Sequence, residues 1–310
     1  MKKILVSLAA LFAAATMLSA QNMADATETA KLANEALGEG NYATALAGFQ
    51  EALKMAEACG DEGLELVATC KDIIPKTMNA IAKGLLQDKN YDEAIAKFLE
   101  TAAIAKEYGD EELAAKAEGL IPQICMQKGG AQLNSKDYAG AAETFAKILE
   151  SDATNGIAAL RLGMALEGTG KADEAVEAYK TAAANGQEKT ANGQIGKIYL
   201  KRALEELKAK KFADAVKDAN TSNEFAPNPQ ALQIAGQASQ LAGKNADAIK
   251  YFEEYLEAAP NAKNAGQIAY TVGALYQQAK NNAKAKEYFQ KATTDPKYGA
   301  DAQKALSALK

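Results

Sequence analysis

The chain has 310 residues, 48% hydrophobic and 24% charged, with 40 acidic against 35 basic side chains and a net charge of −5. An acidic balance without a basic stripe argues against nucleic acid and anionic lipid as partners. There is no histidine, which removes Ser-His-Asp and Cys-His nucleophiles, histidine-bound zinc and the usual near-neutral proton shuttle.

Residues 1–20 read as a secretory signal peptide. Lys2 and Lys3 give a basic start, Ile4 to Leu18 is an apolar run too short and wrongly flanked for a spanning helix, and Leu18-Ser19-Ala20 is a cleavage site. Removing Lys2 and Lys3 leaves 33 basic against 40 acidic residues, a net charge of −7. No later stretch is long and apolar enough to cross a membrane. The expected location is therefore outside the cytoplasm, in the periplasm first, with secretion or peripheral attachment to the outer membrane as alternatives.

From residue 21 to 150 a small–large pattern recurs as Ala45/Phe49/Ala52, Ala94/Phe98 and Ala141/Phe145. Each copy reads as the second helix of an antiparallel pair. The first helices of the second and third copies are extended at their start by about two turns. Their apolar positions, Val67, Cys70, Ile74, Met78, Ile81 and Leu85, then Leu113, Ala117, Leu120, Ile121, Ile124 and Cys125, keep helical spacing. Pro75 and Pro122 should kink or start a helix, because each removes a backbone donor and crowds the preceding turn. Cys59 ends one helix and Cys70 lies about two turns into the next, beyond the ~7 Å Cα separation a disulfide tolerates. With Cys125 on an apolar face, the three read as small hydrophobes.

Ser151 to Gly156 is polar and turn-like, a seam between this lobe and four shorter units over 151–296. Ile157 to Ala184 is the clearest of these. Leu160, Leu162, Gly163 and Leu166 mark a first helix, Gly170-Lys171 a turn, and Ala175, Tyr179 and Ala182 a second helix. Gly163 and Ala175 let the two backbones approach, with Leu166 and Tyr179 filling the space on either side. A weak copy at Ala215 has Ala219 where an aromatic is expected. Ala248/Phe252 follows, and the last copy runs Val272-Gly273-x-x-Tyr276 to Ala285-x-x-x-Phe289-x-x-Ala292. Steps between first alanines are 49, 47, 34, 40, 33 and 37 residues, the period of a stacked array. Residues 297–310 supply a capping helix, apolar at Ala302, Ala305, Leu306 and Leu309.

These motifs resemble the tetratricopeptide repeat family, whose consensus has a large residue, Leu-Gly, a large residue, then Ala, an aromatic, Ala and Pro over thirty-four positions. The likeness spans about residues 26 to 296, with Pro227, Pro260 and Pro296 at the proline that ends the second helix. The family's tryptophan is absent throughout. The resemblance implies an all-α, right-handed α-solenoid of seven helix–turn–helix repeats, and a protein-binding scaffold in place of an enzyme.

It also implies that first helices line a concave groove. The matching positions are Gln230, Gln233, Gln237 and Gln240, followed by Leu241, and then Gln267, Tyr270, Gln277 and Gln278. Spacing of three, four and three puts the first four amides on one helical face. Amides offer donors and acceptors together, so this wall suits peptide backbone or sugar hydroxyls. Glutamine is also a soluble helix former that needs no ligand. Early groove positions Ala30, Asn34, Asn79 and Lys83 do not assemble the basic clamp with which family members hold acidic chaperone tails.

No cofactor or metal is expected, since no cysteine pair has ligand spacing and no glycine loop cradles phosphate. Carboxylates such as Asp110-Glu111-Glu112 and Glu205-Glu206 fall on helix starts or exposed faces. The expected partner is a protein or peptide, with a glycan-binding or envelope-assembly accessory, or a homo-oligomer, as alternatives. Tyr199, Tyr270 and Tyr276 are the rings a sugar would need. Replacing Ala175 by Leu should overpack its helix pair at a cost of about 1–3 kcal/mol. An unchanged thermal melting curve would mean that the frame is misplaced at that unit.

Overall fold

The computed structural model describes residues 22–309, so the signal-peptide reading of residues 1–20 lies outside the described residues. Among them the chain is helical, with no strand. Its contacts divide it into two compact units, one ending at Ile148 and one beginning at Leu149. In the first unit α1 covers 22–38. It is followed by α2 (Tyr42–Ala58), α3 (Leu64–Gln87), α4 (Tyr91–Glu107), α5 (Glu111–Asn134) and α6 (Tyr138–Ser151), the division falling within the last turn of α6. In the second are α7 (Gly156–Gly168), α8 (Ala172–Ala182), α9 (Glu188–Lys208) and α10 (Phe212–Phe225). Then come α11 (Pro229–Leu241), α12 (Asn245–Ala258), α13 (Ala265–Gln278), α14 (Asn282–Ala292) and α15 (Gly299–Ala308). Each unit is all-α, built by stacking antiparallel helix pairs.

One turn recurs between the two helices of each pair. Its left-handed residue is Gly40, Lys89, Lys136, Gly170, Lys210, Gly243 or Lys280, with φ between 58° and 81°. Those seven positions are separated by the same steps that separate the first alanines. The amide after the left-handed residue reaches back over the last helical turn, as Asn90 N–H to the Leu85 carbonyl and Asn281 N–H to the Tyr276 carbonyl, both at 2.9 Å. That contact satisfies a carbonyl the helix end would orphan and reverses the chain in a few residues. Where room allows, the next side chain caps the second helix: Asn281 Oδ1 accepts from Lys284 N–H at 3.1 Å.

Within a pair the helices touch where a small residue meets a ring. A Cβ placed on Gly129 would lie 2.6 Å from Phe145, one on Gly163 2.6 Å from Tyr179, one on Gly236 2.6 Å from Phe252 and one on Gly273 2.7 Å from Phe289. Ala33 and Ala82 take the glycine's place opposite Phe49 and Phe98, and all six rings are buried. Alanines at the ring's own helix, Ala45, Ala94, Ala141, Ala175, Ala248 and Ala285, are fully buried. Separate apolar clusters form in succession along each unit instead of one centre.

The long helices narrow one expectation and correct another. Of the kink or helix start expected at Pro75 and Pro122, the start is excluded, since each lies inside a helix of 24 residues. Pro75 is buried and the surrounding packing of α3 holds the helix through the missing donor. The extension also exceeds two turns, because α3 and α5 have 24 residues while α7 has 13, about three turns more. In the second unit α9 reaches 21 residues and is preceded by a wide turn over Ala183–Gln187, where Gly186 takes φ 86°. Cys70 is buried in α3, and Cys59 and Cys125 are half-buried.

A left-handed lysine costs roughly 1–2 kcal/mol relative to a right-handed one. Lys280→Gly should therefore raise stability by up to about 1 kcal/mol after glycine's larger unfolded-state entropy is subtracted. Urea denaturation checks this, and a lower midpoint would mean that the lysine side chain stabilises the turn.

Candidate functional site

The candidate face is built by α11 and α13, the first helices of the last two pairs. Asn228 caps α11 by accepting from Gln230 N–H at 2.9 Å, and Pro229 starts the first turn. One face of α11 is consumed by packing: Ala231, Leu232, Ile234, Ala235, Gly236, Ala238 and Ser239 are buried against its neighbours α10 and α12. The remaining positions are the sequence-predicted ones. Gln230 and Gln240 are exposed, Gln233 and Gln237 half-buried, and Leu241 is 63% exposed.

In α13 the buried set is Ile268, Ala269, Val272, Gly273 and Leu275, packed on α12 and α14. Gln267, Gln277 and Gln278 are left exposed. Gln230, Gln233 and Gln240 each lie 37 residues before Gln267, Tyr270 and Gln277, the same step that separates Gly236 from Gly273. Equivalent packing of α11 and α13 in successive pairs therefore brings these positions onto corresponding faces. Gln278 is partly committed, since its amide oxygen accepts from Asn245 Nδ2 at 3.3 Å.

Tyr270 is a wall and not an open ring. Its centroid lies 5.5 Å from Phe289 on α14 and 5.5 Å from Tyr298 just before α15, and Tyr270 and Phe289 belong to the terminal apolar cluster. The other two rings considered for sugars are also taken. Tyr276 stacks on Tyr288 at 5.8 Å, and its hydroxyl donates to Glu253 Oε1 at 2.8 Å. Tyr199 stacks on Phe225 at 6.3 Å with the Arg202 guanidinium 5.3 Å from its ring. Burial, then the hydrogen bond to Glu253, hold the Tyr276 hydroxyl well above the usual phenol range.

Charge is distributed unevenly between first and second helices. Neither Pro229–Leu241 nor Ala265–Gln278 contains an Asp, Glu, Lys or Arg. The partner helix α12 carries Asp247, Lys250, Glu253, Glu254 and Glu257, and α14 carries Lys284, Lys286, Glu287 and Lys291. Among the described residues no group of three or more Cys, Asp or Glu side chains is arranged to hold a metal ion. No helix there is long and apolar enough to cross a membrane.

Beside this face lies a charged cluster that sequence reasoning missed. Glu206 is not on an exposed face: its Oε2 is buried without a hydrogen-bond partner on α9, as is Asp218 Oδ2 on α10. Asp218 is only 7% exposed. Arg202 donates to Asp173 Oδ1 at 2.7 Å and comes no nearer than 3.7 Å to Asp218 Oδ2. Burial raises both carboxyl pKa values; the negative charge of Asp218 adds to the effect on Glu206, while Arg202 only partly offsets it for Asp218. The other charged groups acting on the pair are Asp173, Asp214, Lys217 and Lys211, and α11, which packs on α10, contributes none. The signal was the Ala215 copy itself, which pairs Ala203 with Ala219 and has acids at the two neighbouring seam positions.

Two segments match models described as the tetratricopeptide repeat, over residues 126–189 and 266–294. No curated protein matches. Among solved structures, a crystal structure of MamA protein is 19% identical, with 59% of this chain and 96% of that chain covered and a TM-score of 0.37. A MamA AMB-1 structure is 23% identical, covering 61% and 98%, with a TM-score of 0.37. The crystal structure of the P58(IPK) TPR domain is 16% identical, covering 92% and 97%, with a TM-score of 0.29. Scores this low carry nothing about partners.

A folded-state pKa above the unfolded one makes stability greatest at low pH and loses it as pH rises through the raised value. Asp218→Asn should therefore raise the melting temperature by a few degrees at about pH 7.5 and by less at about pH 4. A fall at the higher pH would mean that attraction to Arg202 outweighs the burial cost.

Proposed function

We propose that this chain, a member of the tetratricopeptide repeat family, is a non-enzymatic scaffold of the bacterial cell envelope. It holds a partner peptide or helix on the first-helix face of its last two repeats. The observation that carries this reading is the face left over by packing. Helices α11 and α13 bury one side and present Gln230, Gln233, Gln237, Gln240, Gln267 and Gln277 on the other, with Gln230 and Gln240 at the positions that match Gln267 and Gln277.

A rigid helical face lowers the ordering cost of association on the scaffold side, so the partner meets a preformed surface. Side-chain amides supply both donors and acceptors, which a peptide main chain also presents. Export rests on the basic start, apolar run and small-residue site of residues 1–20. A glycan ligand is disfavoured because Tyr199, Tyr270 and Tyr276 each pack against another ring.

A photo-crosslinking residue placed at Gln237 of the full chain should capture a defined partner segment from the envelope fraction of the bacterial source. The same residue at Lys250, on the charged helix α12, should capture none. Equal adducts at both sites, or none at Gln237 in a folded chain, would sink the reading, and a chain that fractionates with cytosol would sink its envelope part.

A further inference from the structure

We propose that the α11/α13 face selects a peptide segment without charged side chains; this rests on the binding-face reading above. The two helices hold 13 and 14 residues, 27 together, and none is Asp, Glu, Lys or Arg. The chain as a whole is 24% charged, so its average composition would put six or seven charges there. Burial accounts for the packed sides but not for the exposed ones. Gln230, Gln240, Gln267 and Gln277 are open to solvent, as are Lys250 on α12 and Lys284 and Glu287 on α14. Solubility alone is served by charge on those second helices. On the first helices the same need is met by amides only.

A wall of amides discriminates by what it lacks. A neutral segment exchanges water for hydrogen bonds between Gln side chains and its own backbone or its Ser, Thr, Asn and Gln side chains. A Lys or Glu arriving at the same place loses hydration and meets no counter-charge, which costs more than an unpaired neutral group. Leu241, 63% exposed at the C-terminal end of α11, adds one apolar contact for a small hydrophobic side chain. The occupant is thus an uncharged, amide- or hydroxyl-rich peptide segment with an apolar residue near one end. Attraction of this kind has no long-range component, so ionic strength leaves it nearly unchanged.

The test is panning of a random dodecapeptide display library on the full chain and on two double variants, Gln233→Lys/Gln237→Lys and Gln233→Ala/Gln237→Ala. Melting curves check that all three fold. Wild-type protein should yield a pool depleted in Asp, Glu, Lys and Arg to less than about half their frequency in the naive library. Selected peptides, once synthesised, should change affinity by less than about twofold between 50 and 500 mM NaCl. The lysine variant should bind them at least about tenfold more weakly, and the alanine variant should lose less. A pool rich in acidic or basic residues, with steep salt dependence, overturns the inference and leaves the binding face standing. No enrichment at all overturns both. Binding of a neutral glycan array with no peptide enrichment replaces the peptide reading by the sugar one.

Discussion

A helix backbone laid directly on an aromatic ring is the contact from which the rest of this protein follows. At Gly129, Gly163, Gly236 and Gly273 even one added carbon would fall inside 3 Å of the ring opposite. That closeness draws the two helices of a pair together and buries the ring, together with the alanine beside its own helix. It also fixes which face of the first helix is spent. The residues flanking the glycine are committed to the partner helix and to the preceding pair, so the face that remains is settled before any ligand is considered. The left-handed turn is the other half of the constraint. Helices this close need a reversal of few residues, and at Lys89, Lys136, Lys210 and Lys280 the chain accepts an unfavourable lysine conformation to make it.

The fifth pair is informative because it lacks the contact. Ala203 faces Ala219, so an alanine stands where the second helix of the other pairs has its ring, and Tyr251 of α12 packs against the cluster. At the corresponding positions of the last pair, Tyr276 stacks on Tyr288 at 5.8 Å and its hydroxyl donates to Glu253 Oε1 at 2.8 Å. In the fifth pair the corresponding residues are Glu206 and Asp218, two acids with no donor between them, each with a buried oxygen unpaired. Losing the ring and acquiring like charges at the same seam point the same way. Proton uptake therefore favours the folded form of this pair.

Much of this was legible in the sequence because the repeat's signals are local. The alternation of small and large residues predicted a close approach at Gly163 and Ala175 with Tyr179 to one side, whereas the ring itself lies against the glycine. The steps between alanines matched the steps between turns. The length of α3 and α5 was not, since proline is a weak stop when tertiary packing holds both sides of it. At the candidate face, helical periodicity separates the packed positions of α11 and α13 from the glutamines, which are exposed or half-buried. It could not show that Tyr270 is sandwiched between Phe289 and Tyr298, or that Glu206 and Asp218 share a buried seam. Both depend on contacts between successive helices, whose side-chain directions no single-helix pattern encodes.

Charge partition between helices ties the fold to its use. An array with many small clusters has a large surface for its core, and keeping it soluble requires charge on some exposed face. In the last two repeats that burden falls on α12 and α14, whose Lys284–Glu287 and Lys291–Glu287 pairs, at 2.9 and 3.0 Å, satisfy one another along the helix. Exposed pairs of this kind add little stability, so their value is solvation. With solvation supplied there, α11 and α13 are free to present a face chosen for contact. Amides suit that purpose because they remain wet without a ligand and lose no counter-ion when one arrives. The same small residues that bring the helix pairs together therefore also decide, by what they leave uncovered, which face of α11 and α13 stays open.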